Sequence, residues 1–388
     1  MSNSSMIALG EIMPTRSGSV DPAKHPDEVF DLYSIPAFDV GHPEIIAGRA
    51  IGSAKQVVQP GDVLLSRIVP HIRRSWVVSN GSARRTIASG EWIVFRGKHV
   101  HPPFLRHVLV GDPFHLEFMR TVSGVGGSLL RARPSYVAQI KIPLPSLAEQ
   151  QRIAEVLDRA EALRAKRRAA LTQLDTLTQS IFLDLFGDPA VNSKNWPIKN
   201  IGDLLDSASY GTSSKANGAG DYPILRMNNL TRTGEIDLTD LKYIDIPDTA
   251  KGRYLVKAGD VLFNRTNSAD LVGKTAIYRG KHPMAYAGYL IRLRTNTEND
   301  PEYLSAFLNT SYAKKVLRGM CKSIIGMANI NAKEIQAMKV MQTPLPIQRE
   351  FAKRVAAIEE LKVLHRRSLL EMDSCFAVLQ QRAFQGEL

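Results

Sequence analysis

At 388 residues, with 44% hydrophobic and 23% charged residues, the chain is long enough for two or three domains that each bury a core. Only two cysteines occur, Cys321 and Cys375, which excludes a disulfide framework and a cysteine-built metal cage. The net charge of +12 is uneven: residues 1–145, 146–188, 189–345 and 346–388 carry +5, −1, +7 and +1, a surplus that fits two lobes meeting a polyanion.

In chain order, the opening Met1-Ser2-Asn3-Ser4-Ser5 lacks the basic and apolar parts of a signal peptide, and no later run reaches membrane-span length. A cytoplasmic protein without a membrane partner is expected. Residues 35–40, 63–68, 75–78 and 92–95 read as short strands, with Gly61-Asp62 as a turn into a buried one. Residues 103–119 start with proline and have helical apolar spacing, and 123–133 read as a flexible polar loop. After Pro143-Leu144-Pro145 the chain runs without Gly or Pro from Ser146 to Phe186, a long helix that Gly187-Asp188-Pro189 ends. The second half repeats the order: strands at 223–227, 261–264, 275–278 and 289–293, a helical stretch at 301–318, a polar loop at 323–331, and a helix from Ile347 to Gln385.

The repeat has a constant register, since a shift of 198 residues superposes the chain on itself without a gap from the middle of the first half to the C-terminus. Pro60-Gly61-Asp62-Val63-Leu64-Leu65-Ser66-Arg67 falls on Ala258-Gly259-Asp260-Val261-Leu262-Phe263-Asn264-Arg265, and Arg96, Gln150 and Phe186 fall on Arg294, Gln348 and Phe384. The chain reads as one module written twice. A weaker match at a shorter offset puts Gly10 on Gly202. Within the helices, Phe351, Val355, Ile358, Leu361, His365, Leu369, Met372, Phe376 and Leu379 recur with a mean spacing of 3.5 residues, and so do Ile153, Leu157, Ala160, Leu163, Arg167, Leu171, Leu174, Thr178 and Ile181. That is a coiled-coil seam, with Arg167, His365 and Thr178 as polar interruptions. Some 37 helical residues would span about 55 Å. Cys375 falls in this apolar pattern and is expected as a buried small hydrophobe. The expected fold is α+β: two similar lobes, 1–145 and 189–345, separated by helices 146–188 and 346–388 that form an antiparallel coiled coil, with an internal pseudo-two-fold repeat.

Pro143-Leu144-Pro145-Ser146-Leu147-Ala148-Glu149-Gln150-Gln151-Arg152-Ile153, the run from Ser180-Ile181-Phe182 to Phe186-Gly187-Asp188-Pro189, the Gly-Asp-Val-Leu strands and the terminal Phe384-Gln385-Gly386-Glu387-Leu388 together resemble the specificity subunit of type I restriction-modification systems. The resemblance covers essentially the whole chain; Pro344-Leu345-Pro346-Ile347-Gln348 is two residues tighter than the first copy. It implies two target recognition domains reading the halves of a bipartite site in double-stranded DNA. It further implies a helical separator on which modification (methyltransferase) subunits, two in number, and restriction (endonuclease) subunits assemble. Chemistry then belongs to the partners, and no cofactor, metal or catalytic residue is expected in this chain.

Candidate DNA contacts are the basic and amide-bearing residues of the lobes: Arg67, His71, Arg73, Arg74, Arg84, Arg85, Arg131 and Arg133 in the first, and Arg226, Asn228, Asn229, Arg232, Arg265, Asn267, Lys274, Asn329 and Asn331 in the second. Arg67 and Arg265, aligned by the repeat, suit a shared role such as a phosphate contact or a core salt bridge. Unaligned residues suit the reading of different bases. Gly273-Lys274-Thr275 imitates the end of a phosphate loop, but Ser268 stands where its first glycine belongs. His99, His101, His107 and His115 crowd one stretch and are read as exposed or DNA-facing histidines, and Glu91 with Lys98 lacks the paired aspartate of a nuclease. Three rivals to a type I specificity subunit remain: the same reader in a two-gene system with a fused methyltransferase-nuclease, a self-contained nucleic-acid enzyme, and a coiled-coil adaptor that binds protein alone.

Overall fold

Gly61 (φ 85°) and Gly259 (φ 91°) take the left-handed backbone that residues with a side chain avoid, and each turns the chain into a buried strand, Val63–Ser66 and Val261–Asn264. The following aspartate holds the turn. Asp62 accepts the Gln59 amide at 2.8 Å and grips Arg96 through two bonds of 2.6 Å; Asp260 accepts the Lys257 amide at 2.9 Å and takes Arg294 at 2.7 and 3.0 Å. Both aspartates are 1% exposed, so the repeated Gly-Asp builds the same buried bracket in each half.

The computed structural model describes residues 5–15, 18–80, 83–124, 130–268, 271–324 and 327–388, and the chain divides into two units. One comprises 1–167 with 368–388, the other 168–367. In the first, Val63–Ser66 lies between Ser75–Val77 and Trp92–Phe95 in an antiparallel sheet. A second sheet runs in the order Ser19–Val20, Lys55–Val57, Arg85–Ala88, Val29–Tyr33, Glu44–Ala47, and Ser5–Ala8 pairs with Lys141–Leu144. In the second unit, Leu205–Tyr210, Leu290–Thr295, Val261–Asn264 and Thr275–Ile277 form one four-stranded sheet, and Lys242–Ile244, Tyr222–Leu225, Met284–Tyr286 and Leu255–Val256 form another. Ile198–Asn200 pairs with Lys339–Met341, the counterpart of the pairing that closes the first unit. In each unit a short helix, Pro102–Val110 or Pro301–Asn309, packs on the sheet that holds the buried strand, so the fold is mixed α+β.

Several local expectations are corrected. Residues 35–40 are a helix: Ser34 caps it by accepting the Ala37 amide, Pro36 fits its first turn and Gly41 closes it at φ 93°. Each proline-led helical stretch is two helices, Pro102–Val110 with Asp112–Arg120 and Pro301–Asn309 with Ser311–Met320. The first break precedes Pro113, which suits only a helix's first turn, and a Cβ at Gly111 would lie 2.9 Å from the Phe384 ring. The segments read as flexible loops are hairpins, Val122–Ser123 with Arg131–Ala132 and Lys322–Ile324 with Met327–Asn329; residues 125–129 and 325–326 of those segments lie outside the described residues. Cys375 is exposed, since its neighbour Phe376 takes the inward position. The gapless register is also an average. Backbone pairing keeps the 198 shift at Asp62 and Asp260, but Arg74 and Lys274, which accept the amides of aligned Ser66 and Asn264, are 200 apart. Compensating loop lengths conceal this in the sequence.

Leu147–Phe186 and Leu345–Gln385 are unbroken helices of 40 and 41 residues, and both belong to both units. In the first unit Ile153 and Leu157 share a core with Leu379 and Ala383, and in the second Phe182 and Phe186 share one with Phe351 and Val355. In each case the start of one helix meets the end of the other, so the helices pack antiparallel. The seam differs from expectation by one residue. Leu163 and Leu361 are 54% and 47% exposed, and Arg164 and Lys362 face inward instead. Arg164 Nε lies 2.6 Å from Asp373, with its guanidinium 4.3 Å from the Phe376 ring; Lys362 Nζ lies 2.6 Å from Asp175 and 3.0 Å from Glu359. Arg164 and Lys362 are aligned by the repeat, as are Asp175 and Asp373, so the same cross-helix pair occurs once per unit. A long cationic stem packs on apolar surface when its head is paired, which apolar spacing does not register.

Aligned glutamines fasten the helix entries. Buried Gln150 accepts the His101 amide at 2.7 Å and donates to the carbonyls of His99 and Pro145. Gln348 accepts the Asp300 amide at 2.7 Å and donates to the Thr343 carbonyl. Each therefore ties its long helix to the short-helix pair of its own unit.

Candidate nucleic-acid interface

The two lobes reuse one backbone corner. Arg67 and Arg265 each follow the buried strand after the Gly-Asp bracket. Their amides donate to the carbonyls of Glu91 and Tyr289 at 2.9 and 3.0 Å, and their carbonyls accept the amides of Ala132 and Ile330 at 2.8 and 2.9 Å. The corner is the same; its chemistry is not. Around Arg67 stands Glu91, whose carboxylate is 3.9 Å from Arg67 Nε and is held by Arg131 at 3.1 to 3.2 Å. At the aligned positions Arg265 has Tyr289 and Asn329, and no carboxylate of the described residues makes an ion pair with it. Its guanidinium instead lies 5.0 Å from the Tyr210 ring. In both arginines Nε is enclosed by protein with no hydrogen-bond partner.

In the second unit this corner opens into a hollow of about 650 Å³ whose cations are Lys215, Arg226, Lys242 and Arg265, with Asn217 and Asn228 among its amides. Arg226 is braced by Asp240 at 2.8 Å, while Asn228 is exposed. Tyr289, 52% exposed, stands at the same hollow. A concavity with four cations, amide groups and an exposed aromatic ring suits a polyanion with planar bases. Lys215, Lys242, Asn217 and Tyr289 escaped the sequence reading. The repeat could have pointed to Tyr289, which falls on Glu91. In the first unit Arg67 lines a smaller hollow of about 180 Å³ with Gln56 and Trp92.

The other candidates divide by what the fold asks of them. Arg74 makes a bidentate pair with Asp39 at 2.9 and 3.0 Å and holds that carboxyl below its usual range; Arg84 pairs with buried Asp31 at 2.6 Å, and Arg85 with Glu28 at 2.8 Å. Arg73 caps the turn between the short helices by donating to the Val110 carbonyl and Asp112, while His71 is exposed. Arg133 lies flat on Tyr136, 3.8 Å from its centroid. Arg232 is exposed; Lys274 donates to the Met227 carbonyl at 2.7 Å, and burial lowers the pKa of its amine. Asn267 accepts the Ser268 amide at 2.9 Å. Two candidates serve the fold. Asn229 is 2% exposed and spends its amide on the carbonyls of Asp237 and Asp240, and Asn331 is the cap of helix Ala332–Ala337, accepting the amides of Lys333 and Glu334.

The motifs that imitate catalysis have other duties. Gly273 sits at φ 80° against Leu317, and its carbonyl accepts Lys314 Nζ. Glu91 is committed to Arg131. His107, expected at the surface, is fully buried: its Nε2 is 2.7 Å from Asp158, and burial lowers its pKa. Ligand atoms of His107, Asp158 and Glu161 lie within 4.8 Å of one another, and the Arg106 guanidinium donates to Asp158 and Glu161, filling the place a cation would take. No helix among the described residues is long and apolar enough to cross a membrane.

Two α+β units with one duplicated frame and different polar corners, each completed by segments of the same two long helices, define a class of internally duplicated protein. The family model for the type I restriction modification DNA specificity domain matches residues 2–173 and again 193–371, and the chain belongs to that family. It is 28% identical over 284 residues to the EcoKI specificity subunit of Escherichia coli K12, a match covering 68% of this chain and 61% of that protein. With the StySPI specificity subunit of Salmonella potsdam it shares 24% over 310 residues, 75% of this chain and 66% of that one. The matches thus span just under two thirds of each relative. In fold it resembles the type I restriction-modification S subunit from M. genitalium, at a TM-score of 0.58 and 11% identity, covering 99% of this chain and 96% of that one. It also resembles a chain from a structural study of type I R-M complex assembly and conformational transition, at 0.59 and 21%, covering 99% and 98%.

Proposed function

We propose that this chain is the DNA-reading subunit of a type I restriction-modification enzyme, with each unit reading one half of an asymmetric bipartite site. The observation that carries this reading is the duplicated corner: Arg67 and Arg265 share one backbone setting, while Glu91 and Arg131 in one unit give way to Tyr289 and Asn329 in the other. A reader duplicated with its surface intact would call for a symmetric site; one with a conserved frame and divergent polar groups calls for two different half-sites. Arg67, Arg265, Lys215 and Lys242 supply the sequence-independent attraction to phosphate, and amide and guanidinium groups that differ between units choose bases.

The long helices act in this reading as separator and as docking surface for two modification subunits, which bring the methyl donor and the catalytic groups, and for restriction subunits. The solved chain from the study of type I complex assembly supports such partners. Binding of the full chain to duplex DNA, followed by fluorescence anisotropy, should weaken steeply with salt, by about 0.9 decades per decade of salt for each neutralised phosphate. A flat response between about 50 and 200 mM salt sinks the reading.

A further inference from the structure

One position of the duplicated frame points to particular bases; the inference rests on the DNA-specificity reading above. Arg131 pairs across the corner with Ile68, and Asn329 with Thr266, so both side chains leave the same point of the same frame. Each is held by a neighbour. Glu91 takes the Nε edge of Arg131 through contacts of 3.1 to 3.2 Å, which leaves the far edge of the guanidinium to point away from its clamp. Asn329 is exposed, and its Oδ1 accepts the Thr266 hydroxyl at 3.3 Å, which sets the amide's orientation. The Arg131–Glu91 pair is 38% and 31% exposed, and such a pair adds little to stability, so orientation is the better account of it.

An arginine clamped at Nε offers two parallel N–H donors, the complement of guanine O6 and N7; an oriented asparagine offers one acceptor and one donor, the complement of adenine N6 and N7. We propose that this frame position reads a base in both units: Arg131, positioned by Glu91, takes guanine in one half-site, and Asn329, positioned by Thr266, takes adenine in the other. Glu91 and Thr266 are positioning residues, not base contacts.

The test is selection of bound duplexes from a randomised library by the full-length protein, with R131K, R131A, E91Q and N329A beside the wild type. R131K keeps the charge and loses the fork. It is expected to keep the salt dependence of binding and to lose about tenfold or more of the guanine preference at one position of one half-site, leaving the other half-site unchanged. R131A should lose the same preference together with some affinity, E91Q should blur that same position, and N329A should lose adenine at one position of the other half-site alone. R131K retaining every base preference overturns the assignment, as does a loss spread over both half-sites. A wild type that selects no motif fails differently, because it removes the DNA-reading function itself. Arg131 and Asn329 are surface side chains, and unchanged melting curves separate these results from misfolding.

Discussion

Replacing Asp260 by alanine is expected to cost the second unit about 3–5 kcal/mol, and the matching replacement of Asp62 distinctly less. Both carboxylates close the same Gly-Asp bracket, but their surroundings differ. Among the described residues the cation paired with Asp62 is Arg96, a third exposed, which water can serve once the carboxylate is gone. Asp260 also faces Arg292, which is 3% exposed, lies 4.0 Å away, and has an enclosed Nε without a partner. The position aligned with Arg292 is Val94. Truncating Asp260 therefore strands a buried guanidinium whose remaining contacts among the described residues are its bond to the Leu255 carbonyl at 2.7 Å and the Tyr286 ring, 5.3 Å from it. Hydrogen exchange under native conditions, read separately at the two buried strands, checks the difference. Equal losses in D62A and D260A would refute it, and D260A paired with Arg292→Leu should recover part of the loss.

Removing one heptad from each long helix, residues 165–171 and 363–369, is expected to leave both half-site sequences intact and to shorten the gap between them. Seven helical residues span about 10.5 Å, or roughly three base pairs. The cut lies between Arg164 and Asp175 on one helix and between Lys362 and Asp373 on the other, so both cross-helix ion pairs can form again in the shortened pair. Equal deletions are essential, because trimming one helix alone would slide Arg164 past Asp373 and leave Lys362 among the wrong partners. Sequencing of methylated DNA from cells carrying the complete system reads the outcome directly. A change in either half-site sequence would mean that the helices do more than measure distance.

Much of this architecture was legible because repetition multiplies weak signals. A single Gly-Asp before an apolar run is an ordinary turn; the same pair 198 residues later, with an arginine 34 residues beyond each aspartate, marks a structural bracket. The long helices could be read because forty residues without Gly or Pro between two breakers leave few alternatives. The site was far less legible. Arg74, Arg84 and Arg85 look like a basic cluster in sequence, yet carboxylates more than thirty residues upstream, Asp39, Asp31 and Glu28, pair with them. Asn229 and Asn331 are indistinguishable from Asn228 and Asn329 until the backbone shows which amides close loops and which face outward. In residues 35–40 the Ile-Pro-Ala-Phe run has strand-like apolarity, whereas Ser34 and Gly41 decide for a short helix through capping.

Composition and register by themselves determined the duplication, the α+β character of each half, the two long helices and the concentration of positive charge in the lobes. These depend on local propensity and periodicity, which every residue carries with it. Tertiary structure alone decided which charges are spent on the fold, that Arg164 and Lys362 replace leucines on the helix seam, and that Glu91 aims Arg131 while Thr266 aims Asn329. Those are meetings between residues tens or hundreds of positions apart. The energy of a charge depends on what stands within a few ångströms of it, and the sequence orders residues along the chain without giving that distance.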